Sequence, residues 1–225
     1  MSVRLANDLR PGLGPARDQG ARPTCLAFAA SDAHGGLRAP WAALSAEAAF
    51  FHAQRRAGRP PSSGAALPFM IEALAEDGQP YETECPYPSV SPDSATWSLT
   101  PWSGPTFQCL GAPVTASWDG LIAALDGGRL VLMLMMLSPG FFAPDAAGVV
   151  QLAAGSPDPA IRHAVLAVGH GEVDGEPAVL IRNSWGGAWG LEGHGWLPRS
   201  YVITGLFGMA LFEENTIVPA RPVAA

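Results

Sequence analysis

The sequence lacks a long hydrophobic run and a cluster of basic residues. Its longest apolar stretch, Leu130 to Leu137, covers 8 residues, whereas a membrane-spanning helix needs about 20. The first residues, MSVRLAND, lack the apolar core of a secretory signal. Only Arg55 and Arg56 stand side by side as basic residues, and the formal net charge is -7. The sequence therefore predicts a soluble, cytoplasmic protein with no nucleic-acid partner and no membrane partner.

Cysteine is scarce as well, since Cys25, Cys85 and Cys109 are the only three. An odd number cannot pair completely, and no C-x-x-C spacing occurs, which excludes a disulfide scaffold. Cys85 and Cys109 could form one bridge in an oxidising compartment, but without an export signal reduced thiols are favoured. No Cys/His spacing resembles a zinc site. Four of the five histidines are interpreted as structural or surface groups: His34, His52, His170 and His194.

The composition is that of a well-packed globular protein with many turns. Hydrophobic residues make up 48% and charged residues 15% of the 225 residues, which excludes disorder for most of the chain. Glycine (26) and proline (22) are too frequent for a helical bundle. An all-α fold is therefore not expected.

The patterns before residue 105 are helical. The run from Thr24 to Ala30 favours a helix that Gly35-Gly36 would stop. Ser45 is a natural N-cap for a helix through Arg56, with Gly58 as its end. A third helix is predicted over Phe69 to Ala75, with Pro68 in its first turn. The following stretch, 81–105, holds five prolines and is predicted to be a long irregular crossing between two halves.

The patterns after residue 105 are mostly β. One further helix is predicted from Ser117 to Asp126, and Leu130 to Leu137 is a buried-strand pattern. Ala164 to Val168 and Ala178 to Arg182 are predicted to form an antiparallel pair. The glycine-rich segment between them, 169–177, is interpreted as the connecting turn.

Three residues in these elements carry a possible chemistry. Cys25 lies in the first turn of an apolar helix, where unpaired N-H groups and the helix dipole favour a thiolate. His163 starts one strand of the predicted pair, and Asn183 ends the other. A thiol, an imidazole and an amide that orients the imidazole form the arrangement of an activated nucleophile.

With these residues the sequence resembles the papain-like cysteine peptidases. The His163 and Asn183 positions follow Cys25 by 138 and 158 residues, near the family's spacing of about 130 to 150. The resemblance covers about residues 17–196. The motifs that carry it are Gln19-Gly20, Cys25 with Ala27-Phe28, Leu44-Ser45-Ala46-Glu47, His163-Ala164-Val165, Asn183-Ser184-Trp185-Gly186, Trp189-Gly190 and Gly193-His194-Gly195-Trp196.

The resemblance implies an α+β, papain-like two-lobed fold with the active-site cleft between a helical lobe and an antiparallel β-rich lobe. A single catalytic domain is expected over residues 1–217, with the helical lobe at about 24–105 and the β-rich lobe at about 1–23 and 106–217. Residues 218–225 are expected to be a flexible tail.

The resemblance also implies a mechanism that needs no metal and no organic cofactor. Cys25 attacks a peptide carbonyl, and the Gln19 amide and the Cys25 backbone N-H stabilise the oxyanion. His163 protonates the leaving amine and then activates water. Asn183 orients the imidazole, and Trp185 shields their hydrogen bond from water.

Some residues depart from the family pattern of Cys-Gly-Ser-Cys-Trp around the nucleophile. Arg22 replaces a half-cystine, which fits a reducing compartment, and Pro23 stiffens the wall beside the thiol. Arg162, just before His163, would favour a thiolate but disfavour an imidazolium. The other residues expected to contact substrate are Gly64, Ala65, Ala66, Leu67, Pro68, Ala164 and Trp185.

The sequence therefore predicts a thiol peptidase that acts on a peptide or protein substrate. Two alternatives remain: a transpeptidase or amidase that uses the same acyl-enzyme, and a catalytically quiet module that binds peptides. Only a short stretch precedes Cys25, so an inhibitory propeptide is not expected. Narrow specificity at Pro23 and Ala65-Ala66, or a separate regulatory protein, would then restrain the activity.

Overall fold

The computed structural model describes residues 2–152 and 155–218. These divide into two compact units. The first comprises residues 2–18 and Pro113–Leu211, and the second comprises Gln19–Ala112 and residues 212–218. The last strand continues to Val218, and residues 219–225, the rest of the predicted tail, lie outside the described residues. No helix in the described ranges is long and apolar enough to cross a bilayer.

Within the described residues the chain forms five α-helices, two short 3-10 helices (Arg10–Gly12 and Pro139–Phe142) and seven strands. The helices are α1 (Cys25–Gly36), α2 (Ala46–Ala57), α3 (Leu67–Glu76), α4 (Trp118–Asp126) and α5 (Arg199–Gly205). The strands are β1 (Val3–Asp8), β2 (Thr106–Val114), β3 (Val131–Leu137), β4 (Asp158–Val173), β5 (Glu176–Arg182), β6 (His194–Pro198) and β7 (Leu206–Val218).

The first unit is built on an antiparallel sheet in the order β7-β3-β4-β5-β6, with β1 paired to β4. β3 is apolar along its whole length and mostly buried, as the continuous run in the sequence predicts. Its side chains pack with those of α4 and α5 in one hydrophobic core. Ser117 accepts a hydrogen bond from the Gly120 backbone N-H and so caps α4, as predicted.

The predicted antiparallel pair is confirmed as β4 and β5, but the predicted connecting turn is wrong in extent. β4 continues through the glycine-rich segment to Val173, and only Asp174 and Gly175 form the turn, with φ of 48° and 83°. Two residues with positive φ are typical of a tight type I′ hairpin. The earlier glycines allow β1 to approach β4 instead, because a Cβ at Gly169 would collide with the Asn7 carbonyl oxygen.

The second unit contains α1, α2 and α3. Ser45 accepts a hydrogen bond from the Ala48 N-H, and Gly58 ends α2 in the left-handed region, both as predicted. α1 does not stop before Gly35-Gly36 but includes both residues. Gly35 allows close packing inside the helix–loop contact, because a Cβ there would lie 3.1 Å from the Ala42 carbonyl oxygen and from the Trp41 Nε1.

The stretch between α3 and β2 has no helix or strand, as its prolines predict. It lies within the second unit. Isolated bridges tie it to its neighbours at Leu44 with Tyr81 and at Gln79 with Phe107. The irregular segment thereby lies beside the start of α2 and supplies side chains to the region around Cys25.

Candidate active site

The predicted nucleophile begins a helix whose usual cap is occupied elsewhere. Cys25 is the first residue of α1 and is partly exposed. Thr24 precedes it, but makes no side-chain capping bond to the helix. Its hydroxyl lies 2.8 Å from the Tyr87 hydroxyl instead. The positive end of α1 is therefore not neutralised by a Thr24 cap, which favours a thiolate at Cys25.

The predicted oxyanion residue Gln19 is buried and oriented by backbone groups. Its Nε2 donates to the Arg22 carbonyl oxygen at 2.9 Å. The same carbonyl accepts from the Thr24 N-H at 2.8 Å. The Tyr87 hydroxyl donates to the Gln19 carbonyl oxygen at 2.8 Å. These bonds make residues 19–24 a tightly folded loop that leads into Cys25.

Arg22, at the position of the missing half-cystine, forms a buried ion pair with Glu47. The Arg22 Nη1 lies 2.6 Å from the Glu47 Oε2, and the two side chains are 1% and 5% exposed. The Trp97 indole N-H donates to the Glu47 Oε1 at 2.8 Å. The guanidinium also lies over the Tyr87 ring, 4.6 Å from its centroid. A polar cluster thus braces the loop where the family has a disulfide.

The expected substrate-contact residues of the second unit lie partly together. A Cβ added to Gly64 would lie 4.0 Å from the Pro23 carbonyl oxygen. Ala65 and Ala66 follow Gly64 in irregular backbone, and Leu67 and Pro68 begin α3. The Arg59 guanidinium donates to the Gly64 carbonyl oxygen at 3.2 Å. Their contacts with a substrate remain a prediction.

In the first unit, strand register brings His163 and Asn183 together. Leu166 of β4 lies opposite Arg182 of β5. In an antiparallel pair His163, three residues before Leu166, and Asn183, one residue after Arg182, are then diagonal neighbours on one face. The His163 Nε2 lies 2.7 Å from the Asn183 Oδ1, and both residues are buried.

The hydrogen bonds of Asn183 fix the imidazole tautomer. The Asn183 Oδ1 also accepts from the Ser184 backbone N-H at 2.8 Å. Because a backbone N-H can only donate, this atom is the amide oxygen, and His163 Nε2 must carry a proton. The Nδ1 of neutral His163 therefore presents a lone pair. Burial lowers the pKa of His163 to about 4, and the Asn183 hydrogen bond opposes this effect.

Aromatic rings surround this pair. The ring centroids of Trp185 and His163 are 4.8 Å apart, and those of Phe141 and His163 are 5.7 Å apart. The Trp189 indole N-H donates to the Phe141 carbonyl oxygen at 3.0 Å. Phe142, which is 52% exposed, stacks on Trp185. The rings place an apolar wall around the imidazole, which explains its strong burial.

Arg162 and Ala164 flank His163 in β4 and differ from the aromatic residues in their contacts. The exposed Arg162 donates to the Pro159 carbonyl oxygen and lies over the Phe207 ring. The causes of the His163 pKa shift are burial and Asn183, so the Arg162 charge considered from the sequence is not one of them. Ala164 is buried and pairs with Leu134 of β3.

The other two cysteines are buried side chains. None of the three cysteines is in a disulfide. Burial raises the pKa of Cys85 and raises that of Cys109 to about 12. In the described part of the chain no group of three or more His, Cys, Asp or Glu residues could hold a metal ion.

The sequence-predicted site residues thus form two groups. The second unit holds Gln19, Pro23, Cys25 and the Gly64–Pro68 loop. The first unit holds His163, Ala164, Asn183 and Trp185. The sequence did not predict the structural roles of four residues around the site: Glu47, Tyr87, Trp97 and Phe141. Glu47 and Trp97 lie 50 residues apart, and no periodicity links an irregular segment to a helix start.

Comparisons with known proteins identify similar sequences and similar folds. Residues 120–210 match the family model described as papain family cysteine protease. Pro-cathepsin H of Bos taurus is 44% identical over 52 residues, which are 23% of this chain and 16% of that protein. The matched segment therefore spans less than a fifth of that relative.

Two solved structures are similar over nearly the whole chain. Xylellain, a cysteine protease from Xylella fastidiosa, has a TM-score of 0.76 at 21% identity, covering 96% of this chain and 88% of that one. The Carica candamarcensis cysteine protease CMS1MS2, in complex with E-64, has a TM-score of 0.74 at 22% identity, covering 93% and 98%. The α+β fold predicted from the sequence is confirmed.

Proposed function

We propose that the chain is a cysteine protease of the papain family, whose model matches residues 120–210, and that it hydrolyses peptide bonds through a thioester on Cys25. The observation that carries the proposal is the His163 tautomer. With Nε2-H held by Asn183, the lone pair on Nδ1 is the group that can accept the thiol proton. A peptide or protein is the substrate in this reading.

The acylation step uses groups from both predicted parts of the site. The Cys25 sulfur attacks the peptide carbonyl carbon, and the oxygen takes the negative charge. The Cys25 backbone N-H and the Gln19 amide stabilise this oxyanion, at about 3 kcal/mol per donor. The Arg22 carbonyl accepts one N-H of the Gln19 amide and so fixes the orientation of this side chain. His163 then donates its Nδ1 proton to the departing amine.

Deacylation reverses the role of the imidazole. Neutral His163 takes a proton from water, the water oxygen attacks the thioester, and Cys25 leaves as a thiolate that regains its proton. The enclosure by Phe141 and Trp185 keeps water from the Asn183 hydrogen bond. Since burial disfavours the charged imidazole, an imidazolium at His163 has to be stabilised by a nearby thiolate.

The proposal also covers location and partners. Three cysteines outside any disulfide support a reducing, cytoplasmic setting. A formal net charge of -7 supports a protein rather than a nucleic acid or an anionic membrane as partner. Narrow specificity at Pro23 and Ala65-Ala66, or a separate regulatory protein, would restrain the activity.

The test is stoichiometric labelling of Cys25 with a thiol-directed epoxide, followed by peptide-library cleavage. We expect one label per chain at Cys25 and turnover that Cys25→Ala abolishes. The matched control is Cys109→Ala, which keeps the nucleophile. Absence of both labelling at Cys25 and peptide cleavage would identify a quiet binding module. Products that incorporate an added amine in place of water would identify a transpeptidase.

A further inference from the structure

A pocket lies in the second unit, at the C-terminal end of α2. It has a volume of about 470 Å³ and is lined by Phe51, Gln54, Arg55, Arg59, Pro61 and Trp97. Phe51 and Trp97 meet edge to face, with centroids 5.0 Å apart. Phe51 and Pro61 are buried, whereas Arg55 and Arg59 are exposed. The pocket therefore combines aromatic rings with two guanidinium groups.

These two arginines are not committed to acidic side chains. The neighbouring Arg56 is paired with Glu76 and Asp77. Neither Arg55 nor Arg59 forms an ion pair within residues 2–152 and 155–218. Arg55 lies 5.5 Å from the Phe51 ring centroid, and Arg59 contacts the Gly64 carbonyl. In a chain of net charge -7, two such guanidiniums beside one pocket favour an anionic ligand.

The wall of the pocket is fixed in place. The buried Gln54 donates from Nε2 to the carbonyl oxygens of Pro60 and Ser63, at 2.9 and 2.6 Å. The Arg59 N-H donates to the Gln54 carbonyl oxygen at 2.9 Å. Proline at positions 60 and 61 restricts the backbone further. A pocket that is already ordered loses little conformational entropy when a ligand binds.

We propose that this pocket binds an acidic peptide segment in which a carboxylate lies beside an aromatic side chain. The carboxylate pairs with Arg55 and Arg59, because a guanidinium matches the geometry of a carboxylate. The aromatic side chain packs on Phe51 and Trp97. A peptide is favoured over a sulfated sugar by these rings.

The pocket is also connected to the predicted substrate loop. Its wall at Pro60 and Pro61 continues along the chain into Gly64–Pro68, and Arg59 holds the Gly64 carbonyl. If the chain is a peptidase, the pocket would select substrates that carry an acidic segment. That selective role rests on the proposed function, whereas binding itself does not.

Binding is tested on the full chain with Cys25→Ala, so that no turnover interferes. Calorimetric titration compares acetyl-Gly-Ser-Glu-Phe-Glu-Ser-Gly-amide with the peptide that has Gln in place of both Glu residues. We expect the acidic peptide to bind at least about tenfold more tightly. Its affinity should fall as sodium chloride is raised. Equal binding of the two peptides, or no binding of either, would overturn the proposal.

Variants locate the binding. Arg55→Gln combined with Arg59→Gln should weaken the acidic peptide by about tenfold or more, and Arg55→Gln alone, which removes no backbone contact, should weaken it severalfold. The matched control combines Arg4→Gln and Arg199→Gln. It also removes two positive charges, but from exposed sites of the first unit. An equal loss in the control would overturn the assignment, as would preferential binding of a sulfated hexasaccharide.

Cleavage assays separate this inference from the proposed function. In the chain with Cys25 intact, kcat/KM for peptides with the acidic segment should fall in the Arg55/Arg59 variant and stay constant for neutral peptides. If no peptide is cleaved but the acidic peptide still binds, the proposed function fails and the binding site stands. If both peptides are cleaved alike, the selective role fails and the peptidase stands.

Discussion

Arg22 and Glu47 form an ion pair almost fully removed from water, with the Nη1 and Oε2 atoms 2.6 Å apart. The pair joins the loop before Cys25 to the first turn of α2. A covalent bridge would be insensitive to the loss of one charge. An ionic bridge is not, because removal of one partner leaves the other charge buried and unpaired.

Glu47→Gln is therefore expected to lower the free energy of unfolding by about 3 to 5 kcal/mol. Urea titration measures this change. Arg4→Gln, which breaks an exposed ion pair with Glu172, serves as the control and should leave the urea midpoint nearly unchanged. Equal midpoints for the wild type and Glu47→Gln would contradict the assigned role of the pair.

Removal of His163 should harm turnover more than removal of Asn183. His163→Ala removes the proton acceptor and donor, so nearly all activity is lost. Asn183→Ala removes only the group that holds the Nε2 proton, so a measurable kcat should remain. Steady-state kinetics on folded variants, verified by circular dichroism, decide the order. The opposite order would mean that the two roles are misassigned.

Cys25 should react with alkylating agents far faster than the other thiols at neutral pH. It is partly exposed at a helix start, whereas burial raises the pKa of Cys85 and of Cys109. The thiolate is the reactive form. Competitive alkylation followed by peptide mapping gives the three rates. Labelling of Cys109 at a rate equal to that of Cys25 would refute the assignment.

His34 should make the fold sensitive to acid. It is fully buried, its Nδ1 lies 2.9 Å from the Gln79 Oε1, and burial lowers its pKa from 6.5 to about 4. Between these pH values the unfolded chain binds a proton that the folded chain does not. The stabilisation is therefore complete above pH 6.5 and declines towards pH 4, by up to about 3 kcal/mol.

His34→Gln should reduce the slope of unfolding free energy against pH in this window. The slope that remains comes in part from His163, whose pKa burial also lowers to about 4. Urea titrations at several pH values between 4 and 7 measure both. An unchanged slope in His34→Gln would show that His34 does not resist protonation in the folded state.

Local and periodic signals made much of the fold predictable. Ser45, Gly58 and Ser117 mark helix ends because their side-chain or backbone chemistry acts within a few residues. The segments Ala164–Val168 and Ala178–Arg182 predict the pairing of β4 with β5 that brings His163 to Asn183. Their hydrogen bond follows directly from that register.

Contacts that depend on distant residues were not predictable in the same way. The glycines at 169 and 171 look like a turn, but they allow β1 to approach β4 closely. Phe141 lies in a short 3-10 helix, Pro139–Phe142, and gains its role only through Trp185 and Trp189. The partners of Arg22 likewise come from α2, at Glu47, and from the irregular segment after α3, at the Pro88 carbonyl oxygen.

Because Arg22 and Glu47 are joined by an ion pair and not by a disulfide, their link does not depend on the redox potential of the surroundings. A thiol peptidase needs reductant to keep its nucleophile unoxidised, and the same reductant opens structural disulfides that are accessible to it. Here no cysteine is in a disulfide, and glutathione cannot reduce an ion pair. The fold therefore tolerates any ratio of reduced to oxidised glutathione that keeps Cys25 a thiol.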